Sequence, residues 1–134
     1  MIRSRSKLAV TAGLIMMLGV PGAHAHGNLQ RTIPQADAVL KNVPNHVLLQ
    51  FSQRPKKNAR ITVLDGCRRP AVRTLQLQGD TAHIEIKPQA QPGNYRVSYR
   101  IVSAVDGDAT RGNYGFRVGG SADCSEASPE EESE

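Results

Sequence analysis

Residues 91–104, QPGNYRVSYRIVSA, are the stretch that most clearly indicates the fold of this chain. The Pro-Gly pair at positions 92 and 93 is typical of a turn, because glycine adopts backbone angles that other residues avoid. The residues that follow are rich in Tyr, Val and Ile, whose side chains favour a strand over a helix. We therefore predict that residues 94–104 form the longest strand of the protein.

Similar segments lie on both sides of this strand, and none has apolar residues at helical spacing over the length of a helix. Short alternating stretches predict half-buried strands, and Gly79-Asp80 predicts the turn of a hairpin. Residues 34–44 are predicted to be a connection. The predicted strands cover residues 28–33, 47–51, 61–63, 73–78, 82–86, 94–104 and 113–118. About seven strands predict an all-β fold, a single Greek-key sandwich or small barrel of the immunoglobulin-like type.

The first 25 residues have the features of an export signal. Three cations at residues 3–7 precede an apolar run of 13 residues. The tripeptide at residues 23–25, Ala-His-Ala, has the small residues that signal peptidases accept, so we predict a mature chain that begins at His26. A cut before His24 is the alternative. The run is shorter than the roughly 18 to 20 apolar residues that a retained membrane anchor requires.

Charge divides the rest of the chain into a basic domain, residues 26–120, and an acidic tail, residues 121–134. Residues 26–122 hold fourteen Lys and Arg against six Asp and Glu, a net charge of +8, whereas residues 123–134 hold six carboxylates and no cation. We predict that the tail is solvated and disordered, with metal delivery or partner docking as the alternative. Export and the lack of stacking aromatics among the cations argue against nucleic acid, while an acidic partner stays open.

Two cysteines, Cys67 and Cys124, are present in the whole chain. An even pair in an oxidising compartment predicts a disulfide, which here would attach the start of the acidic tail to the domain. The alternative is a copper(I) site with two thiolate ligands, because soft sulfur ligands suit that ion.

Six segments occur along the chain: residues 26–29 (HGNL), 34–40 (PQADAVL), 47–52 (VLLQFS), 92–95 (PGNY), 102–112 (VSAVDGDATRG) and 116–118 (FRV). In this order and spacing they resemble the CopC-type copper-resistance proteins, and the resemblance covers residues 26–118. It implies a small Greek-key β-barrel in the periplasm.

The resemblance implies a copper(II) ion held by an N-terminal histidine and by an Asp-x-His pair in the loop before the last strand. His26 matches the first ligand and Asp106 matches the loop aspartate, but Asp108 stands where the family has histidine. A free amine and imidazole on one residue form a chelate of nitrogen donors, which favour copper(II). The predicted ligands are therefore His26, Asp106 and Asp108, with one nitrogen donor fewer than the family pattern.

Other interpretations of these residues remain open. Asp106-Gly107-Asp108 is also typical of a polar turn whose carboxylates accept backbone N–H groups, although the regular oxygen ligands of a calcium loop are missing. His46 and His83 are candidates for the missing ligand, but their phase relative to the apolar residues predicts that both face solvent. The family's methionine-rich copper(I) loop is absent, because all three methionines lie in the predicted signal.

Three functions follow from these patterns. The leading hypothesis is a non-enzymatic copper-binding protein that sequesters copper(II) or passes it to an inner-membrane transporter of the CopD type, which the resemblance implies as partner. The second is an interaction domain that has kept the fold and lost the metal. The third is an oxidative copper enzyme, but its copper site would need a second histidine, for which no residue is well placed, and no hydrolytic triad is apparent.

Overall fold

The computed structural model describes residues 28–125 of the 134-residue chain. Within this range the chain forms eight β-strands and no helix. The strands are β1 (Leu29–Ile33), β2 (Val39–Leu40), β3 (His46–Phe51), β4 (Arg60–Leu64), β5 (Val72–Gln78), β6 (Thr81–Ile86), β7 (Gly93–Val102) and β8 (Ala109–Val118). The predicted export signal lies outside the described residues, as do residues 126–134 of the predicted tail.

The strands form two four-stranded sheets that enclose one core. The first sheet has the order β1-β3-β6-β5 and the second has the order β2-β8-β7-β4. All neighbouring strands are antiparallel except β2 and β8, which are parallel. The predicted all-β sandwich and the predicted β5–β6 hairpin are confirmed.

Three details of the strand prediction were wrong. The predicted connection at residues 34–44 contains β2, which pairs with the last two residues of β8. Strand β7 ends at Val102 rather than at residue 104, and β8 begins at Ala109 rather than at residue 113. The end of β7 and the start of β8 are set by the same ladder, because the last pair of residues between these strands is Val102 and Ala109. The Asp/Gly-rich loop is therefore shorter than predicted.

The core is built from the inward positions of both sheets. In β7 these are the odd-numbered residues, and Tyr95, Val97 and Ile101 are almost completely buried. They face Leu49 and Phe51 of β3, which are also completely buried. Burial of each such large side chain stabilises the fold by roughly 1.5–3 kcal/mol. The alternation that predicts the strands therefore also predicts the core.

The disulfide lies at the end of the sandwich where β4 ends and β7 begins. Cys67 and Cys124 are bonded, with their Cα atoms 5.4 Å apart, so the predicted disulfide is confirmed and neither sulfur is a free thiolate. The Arg69 guanidinium donates a hydrogen bond of 2.9 Å to the carbonyl of Cys124. The start of the tail is thus attached to the domain. We call this the disulfide end.

A buried carboxylate organises the same end. Asp65 is only 3% exposed, and its two oxygens accept hydrogen bonds from the backbone N–H groups of Cys67, Arg69 and Gln91 at 2.8, 3.0 and 2.9 Å. The next residue, Gly66, packs against the backbone of Pro92 so closely that a Cβ atom there would overlap the Pro92 carbonyl. The loops after β4 and before β7 are therefore held together through one side chain and one close backbone contact.

Replacing Asp65 by alanine should lower the free energy of unfolding by about 3 kcal/mol, because three N–H groups would lose a charged acceptor. Urea unfolding of the disulfide-bonded protein measures this change. The matched control is Asp123→Ala, which removes an exposed carboxylate at the same end and should change stability by at most about 0.5 kcal/mol. Equal losses in the two variants would contradict the role assigned to Asp65.

Candidate functional site

The β7–β8 loop, residues 103–108, lies at the end of the sandwich opposite the disulfide. The connection that follows β3 reaches the same end, where the Lys56 N–H donates a hydrogen bond of 2.7 Å to the carbonyl of Val102. The turn between β5 and β6 is also here, because the Phe51 N–H donates to the carbonyl of Asp80 at 2.8 Å. We call this the loop end.

Ser103 fixes the start of the loop. It is completely buried, and its hydroxyl donates a hydrogen bond of 2.7 Å to Oε1 of Gln53. The Ser103 hydroxyl oxygen also accepts the backbone N–H groups of Val105 and Asp106 at 3.0 and 3.3 Å. The Ser103 backbone closes the loop, since its N–H donates to the carbonyl of Asp108 at 2.8 Å. One buried hydroxyl thus sets the path of the chain toward the two aspartates.

The two predicted loop ligands are adjacent and exposed. Asp106 Oδ1 accepts the backbone N–H of Asp108 at 3.0 Å, and both residues are exposed to solvent. Between them, Gly107 has a φ of +77°, a conformation that favours glycine. The turn contact predicted for these residues is therefore present at Asp106, whereas its role as a metal ligand stays a prediction. A carboxylate has about four acceptor positions, so this bond alone does not exclude a metal ligand.

The start of β1 reaches the same end of the sandwich. The carbonyl of Asn28 accepts the N–H of Ser52 at 2.8 Å. The two residues after Ser52 contact the β7–β8 loop. Gln53 accepts a hydrogen bond from the Ser103 hydroxyl, and the carbonyl of Arg54 accepts one from the Ala104 N–H at 2.7 Å. A short connection thus links the first described residue of the chain to the loop that carries the aspartates.

The predicted metal ligand His26 lies outside the described residues, so its position relative to Asp106 and Asp108 is untested. Within residues 28–125, no group of three or more His, Cys, Asp and Glu side chains is close enough to hold a metal ion. Of the three predicted ligands, the described residues therefore contain two, Asp106 and Asp108.

The two alternative histidines lie on the outer face of the first sheet. His46 is exposed at the start of β3, opposite Glu85, and is five residues from the end of that strand at Phe51. His83 is half-buried and lies opposite Leu48. Both face outward, as predicted. At about 3.3 Å per residue, His46 is about 16 Å along the strand from the loop end, so it is a poor substitute ligand for this loop.

Sequence reasoning missed the residues that support the loop, Ser103 and Gln53. One signal was present, because Ser103 continues the inward series of Tyr95, Val97 and Ile101. A polar residue at an inward position needs a hydrogen-bond partner. The identity of that partner depends on the contact between the β3–β4 connection and the β7–β8 loop, which local sequence does not indicate.

The fold and the loop end define a class of protein, a small two-sheet β-sandwich with an acidic loop beside the start of its first strand. The model of the CopC domain family matches residues 29–119, more than half of the chain. The chain therefore belongs to the CopC family.

Curated relatives and solved structures agree with this membership. Protein YobA of Escherichia coli (strain K12) is 28% identical over 120 residues, which cover 86% of this chain and 96% of YobA. The crystal structure of CopC from Methylosinus trichosporium OB3b has a TM-score of 0.62 and 26% identity, covering 69% of this chain and 93% of that one. PcoC, a methionine-rich copper resistance protein from Escherichia coli, has a TM-score of 0.59 and 27% identity, covering 71% of this chain and 100% of PcoC.

Replacing Ser103 by alanine should lower the free energy of unfolding by about 2 kcal/mol and loosen the loop, because Gln53 and two backbone N–H groups would lose their partner. Hydrogen exchange followed by NMR should show faster exchange at the Val105 and Asp106 amides. The control is Ser98→Ala, on the outer face of β7, which should leave both amides unchanged. Unchanged protection in Ser103→Ala would show that the hydroxyl does not hold the loop.

Proposed function

We propose that this protein is an exported, periplasmic copper-binding protein that sequesters copper(II) or delivers it to an acceptor. The proposed ligands are the α-amine and imidazole of His26, created as the N-terminal residue by signal cleavage, and the carboxylates of Asp106 and Asp108. Membership of the CopC family supports a role with copper, and the similar protein PcoC is described as a copper resistance protein. The proposed role requires no catalysis.

The observation that carries this proposal is the position of Asn28 at the loop end. Its carbonyl is bonded to Ser52, and the two residues after Ser52 are bonded to Ser103 and Ala104. His26 precedes Asn28 by two residues, which span at most about 7 Å when extended. Nitrogen donors at the mature N-terminus would therefore be confined near the end of the sandwich that carries Asp106 and Asp108.

The ligand chemistry of this set favours copper(II) with moderate affinity. The amine and imidazole of one histidine form a chelate, and nitrogen donors select copper(II) over most other first-row divalent ions. Carboxylates supply charge but are harder ligands than imidazole, so Asp108 in the family's histidine position should weaken binding. Moderate affinity suits a protein that releases its ion to an acceptor.

The hydrogen bond inside the loop is compatible with a ligand role for Asp106. Groups that bind metals are commonly oriented by a second hydrogen bond, which fixes the direction of the donor atoms. The Asp108 N–H contacts Asp106 Oδ1 at 3.0 Å in this way. The turn would then hold one carboxylate in place before the ion arrives.

Delivery requires an acceptor, for which we propose an inner-membrane copper transporter of the CopD type. This partner follows from the family resemblance. An N-terminal ligand suits transfer, because His26 is only two positions from Asn28 at the loop end, and an acceptor could approach the ion from the exposed side of the loop.

A second candidate function is a protein-interaction domain that no longer binds copper tightly. Two observations favour it: the family's loop histidine is replaced by Asp108, and Asp106 already serves the turn. In that case His26 and Asp106 would be dispensable for the cellular role.

The first test is copper(II) binding to protein exported through its own signal, with the N-terminus sequenced. We expect one copper per chain and an EPR spectrum with nitrogen coupling. His26→Ala keeps the α-amine but removes the imidazole and with it the chelate, so the imidazole nitrogen coupling should be lost and the copper Kd should rise at least about tenfold, or 1.4 kcal/mol.

The control is His83→Ala, which removes an outward histidine from the first sheet and should leave the spectrum unchanged. Correctly processed protein that begins at His26 and gives only the spectrum of unbound copper would refute the copper(II) site. The interaction domain would then be the better account.

The loop is tested separately by Asp106→Asn. The amide oxygen of asparagine still accepts the Asp108 N–H, so the turn should be kept while the charge is lost. We expect the copper Kd to rise about tenfold, or 1.4 kcal/mol. Competition titration with a copper chelator measures this change.

Asp80→Asn is the matched control, since it removes a carboxylate from the neighbouring β5–β6 turn, where Asp80 accepts hydrogen bonds from Gln50 and Thr81. An unchanged Kd in Asp106→Asn, with the loop amides still protected from exchange, would leave Asp106 as a turn residue only.

A further inference from the structure

Three arginines lie side by side across the outer face of the second sheet. In the strand register, Arg60 of β4 is directly opposite Arg100 of β7, and Arg100 is directly opposite Arg111 of β8. All three side chains are exposed. They line an open groove together with Thr62, Ser98, Tyr99 and Asn113.

We call these three arginines the arginine row, and no acidic residue in the strands of the second sheet neutralises its charge. The four strands β2, β4, β7 and β8 contain five arginines and no Asp or Glu. The other two, Arg96 and Arg117, are also exposed, and Arg96 donates a hydrogen bond of 3.1 Å to the neutral side chain of Asn113. We call these five arginines the arginine face.

Directly opposed like charges destabilise a sheet, so this arrangement is costly without an anionic partner. The groove above the row is open and its other lining groups are hydroxyls and an amide. Guanidinium groups bind carboxylates through paired hydrogen bonds. The chemistry of the face therefore fits an extended acidic peptide.

The chain itself carries such a peptide at its C-terminus. Residues 126–134 contain five glutamates and no cation, namely Glu126, Glu130, Glu131, Glu132 and Glu134. The segment begins two residues after Cys124, which is fixed to the disulfide end. The Asp123 N–H also donates to Oε1 of Gln91 at 3.0 Å, two residues before β7 begins. The attachment point of the segment is therefore fixed near one end of the arginine face.

The length of the segment is sufficient to cover the row. Nine extended residues reach about 30 Å, whereas Arg96 and Arg100 are four residues apart on β7, or about 13 Å. Arg96 lies opposite Leu64, the last residue of β4, and is thus near the disulfide end. Tethering gives the segment an effective concentration of the order of millimolar at the face. An untethered acidic peptide would have to exceed that concentration to compete for the same arginines.

We propose that the acidic segment, residues 126–134, binds the arginine face of its own chain. The carboxylates neutralise the arginine row and cover the groove against other anionic partners. Salt weakens this contact, because both sides are exposed and the Debye length at physiological ionic strength is about 8 Å.

The test compares the full chain with a variant in which the five glutamates of the segment are replaced by glutamine, using backbone amide NMR shifts at low salt. We expect shift changes in β4, β7 and β8 around Arg60, Arg100 and Arg111, and none in β1 or β5. Adding about 0.5 M salt, where the Debye length is only a few ångströms, should abolish the differences.

A second variant identifies the binding surface. In the background Arg60→Gln, Arg100→Gln and Arg111→Gln, neutralising the segment should no longer shift the β7 and β8 amides. Arg31→Gln, which removes an exposed arginine from the first sheet, should leave the effect intact. The proposal would be overturned by shifts confined to residues 119–125 or by shifts that survive the arginine substitutions. Shifts that grow with protein concentration would equally overturn it, by showing contact with a second copy of the chain.

Discussion

The pairing of β7 with β8 is the constraint on which the rest of the structure depends. Ten consecutive residue pairs run from Gly93 opposite Val118 to Val102 opposite Ala109. This register directs the odd-numbered residues of β7 into the core, and Ser103 is the last of that series. It also sets the length of the acidic loop and the alignment of the arginines on the outer face. A slip of one residue would turn every inward side chain outward, so the core, the loop and the arginine face share one determinant.

Much of this architecture was predictable because it depends on local patterns. Alternation and turn residues predicted seven of the eight strands, and a single cysteine pair predicted the disulfide. Strand β2 was missed because two residues carry no periodicity, and its pairing with residues 117 and 118 connects distant parts of the chain. The start of β8 was missed because Ala109, Arg111 and Gly112 do not favour a strand by themselves. Their conformation is imposed by the β7 ladder.

The candidate site likewise contains residues that local sequence predicted and a contact that it did not. The placement of Asp106 and Asp108 in one exposed loop was predictable from the sequence, and so was the turn at Gly107, whereas the role of the two aspartates as metal ligands stays a prediction. The contact of Gln53 with Ser103 was not predictable, because it joins residues 50 positions apart in the chain. This contact nevertheless sets the geometry of the loop and ties the loop to the connection that follows β3. The residue types of the site are thus encoded locally, whereas its geometry is encoded by the packing of the two sheets.

The charge distribution links the proposed copper site to the proposed tail contact. Residues 26–122 carry a net charge of +8, which opposes the approach of a divalent cation. Arg111 lies two residues after Ala109, so the arginine row begins close to the acidic loop. Neutralisation of that row by the segment at the C-terminus would reduce the repulsion without adding a ligand. The two proposals can be tested separately. A substitution of a copper ligand alters the copper spectrum, whereas a change in the electrostatic field of the arginine row alters only the affinity for copper. The size of that second effect depends on salt.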